Sequence, residues 1–428
     1  MTSPNTSFLP GLKGVIPPWW TGLFLFFLAG FADGAMMPFF ALWAKAEAGV
    51  PTQYIGLLLA CYAGGELVAT PFMGGIADRI GRRPVLIMAM GGVGIGFFLL
   101  YMSRGMPAAA GALLFIGVFE SALHATISAT IADTVAPRRL KRSFAMARVC
   151  SNGGRVVGPA IGALLVVHSL GAAFLAAAAA ALAGALAVVI FLPETRPDAA
   201  LEIDGEDEEG LSALLPVLHD RRLASLLVWF LVLEVCGSWV QALLPLYAHR
   251  AGGLDAAGIG LLFSYAAALV MVFQIPVTHI FSRLSGARLV LVSGGAMITA
   301  FGVLSLSSAL PVLVVTITLF AFADMVSGPL TPALVDELAP PGRRATYLAA
   351  VSTANDLRDS IGPATGTLLF AVWPRLPWVL GAPLAAVAAV ALAWTVHRQE
   401  RERFNGPPKP PGGTASQTPP DRRYATYR

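Results

Sequence analysis

Asp33, Glu120, Glu234 and Asp324 each fall near the middle of a long apolar run. An ionised side chain at the centre of a membrane-spanning helix costs about 2.5 to 3.5 kcal/mol on insertion scales, so four such acids need a reason. A carboxyl group in poorly solvated space is neutralised either by a proton or by a cation, and whichever enters displaces the other. That is exchange chemistry. His124 follows Glu120 by one helical turn and is placed to share its proton. Phe31, Phe119, Trp239 and Phe320 are near these acids along the same runs and offer apolar and cation-π surface. Arg148 and Arg155, seven residues apart, share a helix face, as do Asp356 and Asp359.

The elements that carry these groups are set by composition. Of 428 residues, 56% are hydrophobic and 13% charged, against roughly 25% charged in a soluble domain, which excludes a water-soluble enzyme. The apolar residues come in twelve runs of spanning length: 20–44, 54–77, 84–103, 109–132, 144–168, 171–193, 224–248, 256–281, 289–308, 312–336, 345–370 and 376–397. They leave no room for a sizeable soluble domain. The expectation is an all-α membrane protein of twelve transmembrane helices in two pseudo-symmetric six-helix bundles. Cys61, Cys150 and Cys236 lie inside apolar runs and act as small hydrophobes. No metal ligand set, no cofactor loop and no Ser, His and Asp set stands out, so neither a metal, a cofactor nor an enzymatic reaction is expected.

Lysine and arginine test the spans. Of the 29 in the chain, only Lys45, Arg104, Arg250 and Arg375 fall on one side, while Arg148, Arg155 and Arg358 lie within runs and the rest fall on the other side. That asymmetry places both termini in the cytoplasm. Residues 1–193 then form an N-terminal bundle and 224–398 a C-terminal one. Between them 194–223 is an acidic cytoplasmic linker, whose 211–218 stretch is apolar enough to lie on the membrane surface. Residues 399–428, rich in Pro and Gly, are expected to be a disordered tail. The first run, entered through Pro17, Pro18, Trp19 and Trp20, is expected to be retained.

The halves repeat at an offset of 204 residues. Gly158, Pro159, Ala160, Ile161 and Gly162 match Gly362, Pro363, Ala364, Thr365 and Gly366; Arg79 falls on Arg283 and Glu120 on Asp324. Two six-helix halves in one orientation make a pseudo-two-fold axis along the membrane normal, with a binding site between them at mid-depth.

Between the second and third runs stands Gly74-Gly75-Ile76-Ala77-Asp78-Arg79-Ile80-Gly81-Arg82-Arg83, which resembles the signature loop of the major facilitator superfamily at its defining glycines, Asp-Arg core and basic pair. In the fifth run Gly154-Arg155-Val156-Val157-Gly158-Pro159-Ala160-Ile161-Gly162 resembles the motif of that superfamily's antiporters. Glycines four apart admit a neighbouring helix, and Pro159 bends its own. The resemblance implies that helices one, four, seven and ten line a central cavity and that Asp78 holds the cytoplasmic side shut against helix eleven. It also implies that Glu234 and Asp324 match an acidic pair of drug antiporters. Because helices two and eleven adjoin in this family, Glu66 is expected to pair with Arg358. The chain departs from the drug antiporters in helix four, where 113–120 carry no arginine ahead of Gly117, so their arginine-assisted proton route is not available to it.

Together these readings imply a monomeric, multi-pass transporter of the cell inner membrane. Its partners are the bilayer, protons and a small-molecule substrate, with no nucleic acid, and its activity is the export of a lipophilic cationic compound in exchange for protons. Two other readings use the same residues: a proton-coupled transporter of one metabolite, siderophore or lipid, and a receptor or scaffold that keeps the fold without transport.

Overall fold

The structure, a computed structural model, describes residues 17–195, 220–339 and 344–405. Among the described residues there are fourteen helices and no strand: α1 (Pro18–Ala46), α2 (Thr52–Ile80), α3 (Arg82–Met102), α4 (Met106–Glu120), α5 (Leu123–Thr134), α6 (Pro137–Leu165), α7 (Ala172–Phe191), α8 (Arg221–Arg250), α9 (Ala256–Phe281), α10 (Gly286–Leu306), α11 (Leu310–Ser327), α12 (Leu330–Leu338), α13 (Arg344–Val372) and α14 (Leu376–Asn405). Helices α4 and α5 together make one crossing, as do α11 and α12. The acidic linker stretch 202–209, the apolar stretch 211–218 and residues 406–428 of the tail lie outside the described residues, while the first part of the expected disordered tail, 399–405, is instead helical and continues α14.

Local chemistry sets several of the helix starts. Proline opens α1, α4, α6 and α11, where its missing N–H costs nothing. The Asp220 and Asp255 carboxylates accept from Arg222 N and Gly258 N at the starts of α8 and α9.

Nine of the crossings are long and apolar enough by composition to span a bilayer. Helices α2, α6 and α13, each 29 residues long, are the three crossings outside that set. They carry Glu66, Arg148 and Arg155, and Asp356, Arg358 and Asp359. All three lie at the seams between the halves, where α2 packs on α13 and α6 on α9. Their charges are thus held by protein and by the space between the halves.

The duplication is visible in the packing. Helix α1 meets α6 as α8 meets α13; α3 meets α7 as α10 meets α14; α2 meets α4 as α9 meets α11. The α1–α6 contact is the most extensive, and the antiporter-like glycines explain it. A Cβ at Gly154 would overlap the Phe27 carbonyl oxygen and one at Gly158 that of Phe31, both backbone atoms that cannot step aside.

The two halves touch at the end that bears the α1–α2 connection. Gly56 N donates to Thr367 Oγ1 at 3.2 Å, and a Cβ at Gly56 would overlap the Pro363 carbonyl. Across the pseudo-axis, Gly260 of α9 lies against Phe39, Pro159 and Ala163. The signature loop is at the other end. There Gly81 has φ +104, and a side chain at that position would run into the Glu194 carboxylate. That carboxylate accepts from Arg82 N (2.9 Å) and Arg83 N (3.3 Å), capping α3. Arg83 Nη2 donates to Val189 O at 2.9 Å, and Arg82 Nε pairs with Asp133 at 3.5 Å. The basic pair therefore ties the loop to its own half. The Asp78 side chain and the surroundings of Gly74 lie outside those described, and Arg79 is exposed.

Candidate functional site

The central helices bring the charged residues of both halves to one region. In the N-terminal half, Arg155 Nη2 of α6 lies 3.5 Å from Asp33 Oδ2 of α1. In the C-terminal half, Arg358 Nη1 of α13 lies 3.2 Å from Glu234 Oε2 of α8. These are corresponding helix pairs, so each half has one acid of its first helix neutralised by an arginine of its fifth. No basic residue lies in the acid-bearing helices themselves at this depth, and the arginines come from their neighbours.

Glu66 does not pair with Arg358. The guanidinium instead holds Asp359 through Nε–Oδ1 (2.8 Å) and Nη2–Oδ2 (2.9 Å) as well as Glu234. Helix geometry accounts for this. Positions 356 and 359 share one face of α13, while 358 is turned about 100° from 359 and points toward α8. Glu66 accordingly faces the other-half acids Asp356 and Asp359, along with Asp33.

The repeat-equivalent acids of the fourth and tenth crossings differ. Glu120 is 5% exposed, its neighbours being Asp33, Glu66 and the Tyr62 hydroxyl, and its Oε2 has no hydrogen-bond partner among the described residues. Asp324 is exposed. It faces Arg358 of its own half and Arg155 and Arg148 of the other.

His124 is not tied to Glu120. The chain tightens at Ser121 and Ala122, where Ala122 N reaches only Phe119 O at 3.4 Å and Ser121 Oγ bonds Val118 O at 2.7 Å. This offsets α5 from α4. The charged groups near His124 are Asp33 and Arg155, and its ring lies 5.7 Å from that of Phe26.

Three of the four aromatic residues make contacts between helices. Phe119 packs on Gly92 of α3 and on the Phe115 ring at 4.7 Å. Trp239 is buried and donates through Nε1 to Thr365 Oγ1 at 3.1 Å. Phe320 meets Phe301 of α10 edge-on at 5.3 Å. Each fills a helix–helix contact. Phe31 is half-buried against the core beside Gly158.

Tyr62 was not singled out from the sequence. It precedes Glu66 by four residues, on the same face of α2, and that spacing was the available signal. The convergence of Arg148 and Arg155 on Asp324 had none, because it depends on which face of α6 looks across the pseudo-axis. Among the described residues no group of three His, Cys, Asp or Glu is arranged to hold a metal.

Comparison with known proteins agrees with this fold. The sequence profile of the Major Facilitator Superfamily matches residues 22–363. Tetracycline resistance protein, class G, of Vibrio anguillarum is 28% identical over 350 residues, 78% of this chain and 87% of that protein. Multidrug resistance protein 1 of Bacillus subtilis (strain 168) is 22% identical over 79% of this chain and 87% of its own length. Among solved structures, the nucleoside transporter NupG superposes with a TM-score of 0.76 at 13% identity, over 89% of this chain and 99% of that one. A bacterial homolog of the human lysosomal transporter Spinster, in an inward-facing and unoccupied conformation, gives 0.72 at 13% identity over 91% and 98%. The structural likenesses are likenesses of fold.

Proposed function

We propose that this chain, which belongs to the major facilitator superfamily, expels lipophilic, cation-bearing compounds across the inner membrane in exchange for protons, by alternating access. The observation that carries the reading is that carboxylates of both halves converge on the space between them in two different settings. Asp33 and Glu234 each have an arginine. Glu120 has a hydroxyl and two further acids around it and no cation in contact, so a proton is what neutralises it. Asp324 is exposed, and a cationic cargo meets it.

The close contacts at Gly56 and Gly260 lie at the end opposite the signature loop. With the loop placed in the cytoplasm by the positive-inside rule, the cavity is open to the cytoplasm and ready for loading. Cargo then enters against Asp324 and Glu234, and its charge competes with the proton through the chain of acids Asp33, Glu66 and Glu120. Rocking about the pseudo-axis carries cargo outward and protons inward. Each inward proton gains about 2.3 kcal/mol per 100 mV, enough for concentrative export. The drug-resistance names of the relatives support a small-molecule cargo.

The test is transport in proteoliposomes under an imposed pH gradient, with ethidium and tetracycline as probes. Movement of either probe that collapses with a protonophore, and falls in Asp33→Asn and Asp324→Asn, is the expected result. Movement that ignores the protonophore contradicts exchange.

A further inference from the structure

The cavity offers cations as well as acids, and they are not balanced. Arg358 has two carboxylates in contact, Glu234 and Asp359. Arg155 has a single contact at 3.5 Å, with its side chain 52% exposed. Arg148 is exposed and has no ion pair among the described residues. An arginine does not deprotonate to escape such a position, and a guanidinium at membrane depth normally finds an anion.

The direction of these side chains follows from the seams. On α6, Gly154, Gly158 and the Arg155 backbone lie against α1, Pro159 meets both α1 at Gly34 and α9 at Gly260, and Ala163 meets Gly260. Arg148 and Arg155 lie on the arc between the two sets of contacts, two turns and about 10 Å apart along the axis. Asp324 of the other half lies within electrostatic reach of both arginines and makes no ion pair with either. Asn152, at i+4 from Arg148 and i−3 from Arg155, is half-buried on the same side of the helix and adds an amide. The result is a row of hydrogen-bond donors with planar, forked geometry suited to an oxyanion, opposite an exposed carboxylate.

We propose that Arg148 and Arg155 form an anion subsite, and that the cargo is amphoteric: its acidic group, a carboxylate or an ionised enol or phenol, binds between the two guanidinium groups while its cationic part faces Asp324. This rests on the reading of the cavity as the cargo site and narrows the cargo from a lipophilic cation to a compound bearing both charges. With the acid group bound, Arg148 gains the anion that no described residue supplies by contact. An empty cavity leaves Arg148 without it.

The experiment uses one fluorophore with and without its acid. Rhodamine B carries a free carboxylate and a delocalised cation, and its methyl ester carries the cation alone. Binding of each to the full-length protein in detergent is read by fluorescence anisotropy. The wild type is expected to bind the free acid about tenfold more tightly than the ester, the scale of one charge-assisted contact. In Arg148→Gln and in Arg155→Gln the ratio of the two affinities is expected to fall toward one, and in Arg148→Lys to remain above it. Equal binding of the two dyes by the wild type, preference for the ester, binding of neither, or a ratio unchanged by both glutamine variants overturns the subsite. The wild-type ratio requires no variant to fold. It is also independent of proton coupling, so a failed subsite with protonophore-sensitive ethidium transport leaves the exchanger reading standing, and the reverse result removes exchange alone.

Discussion

Glu120 and Asp324 occupy the same place in the two halves of a duplicated chain and have come to opposite surroundings. Glu120 ends α4 in a buried pocket with Tyr62, Asp33 and Glu66, while Asp324 on α11 stands in open space before three arginines. The ion pairs beside them remain alike, with Arg155 on Asp33 and Arg358 on Glu234. Symmetry was thus kept in the framework and given up at the acids. That is what the proposed exchange asks of two halves, with a proton and a cargo at different sites that sense one another.

The largest expected effect comes from separating these roles. Glu120→Gln should lower pH-driven ethidium transport by about two orders of magnitude, the scale of losing a proton-transfer group. Asp324→Asn should instead weaken ethidium binding in detergent about tenfold, the value of one charge-assisted contact. Similar losses of binding in both variants would erase the distinction between the halves.

Next is the helix packing. At Gly158 a methyl group meets the Phe31 carbonyl, which is backbone, whereas at the equivalent Gly362 it meets Ser238 Oγ, a side chain able to rotate. Gly158→Ala should cost about 2 to 3 kcal/mol and Gly362→Ala about 1, the range of overpacking in a dense interior. Melting temperatures in detergent compare them, and a larger loss at Gly362 would count against the notch.

The ion pairs rank third. Removing Arg358 strands Glu234 and Asp359, and Arg358→Met should cost about 2 kcal/mol, below the 3 to 5 of a fully buried pair because all three side chains keep some exposure. Arg155→Met breaks a longer, half-exposed contact and should cost less than about 1 kcal/mol. The same melting assay orders the two.

The smallest effect is at Tyr62. Tyr62→Phe removes one hydroxyl beside Glu120 and should move the pH midpoint of transport by up to about one unit, equivalent to 1.36 kcal/mol, without abolishing transport. An unmoved profile would detach Tyr62 from the proton site.

Much of this architecture is legible in the chain because bilayer physics writes it in long, redundant signals. Runs of about twenty apolar residues and a repeat that aligns Gly158-Pro159 with Gly362-Pro363 do not depend on any one side chain. The charged helices α6 and α13 are the most polar of these runs, and the repeat and the basic loops support them as crossings. Directions are harder to read. Arg358 turns to Glu234 because of one position on the helical wheel, and Phe119, Trp239 and Phe320 turn to helix contacts that periodicity alone does not distinguish from a cavity wall. The interruption after Asp324 has a written cause in Gly328-Pro329, where the proline lacks a donor. The tightened turn after Glu120 has only Ser121, and so the offset of His124 carried no visible signal.

The most direct test of the exchange is the proton count that accompanies binding. Ethidium is added to the purified protein in weakly buffered detergent solution and the pH is followed with an indicator dye. The wild type should release protons as ethidium binds, and Glu120→Gln should bind ethidium while releasing markedly fewer. Binding by the wild type with no proton release, or equal release by the two proteins, would contradict competition between proton and cargo in this cavity.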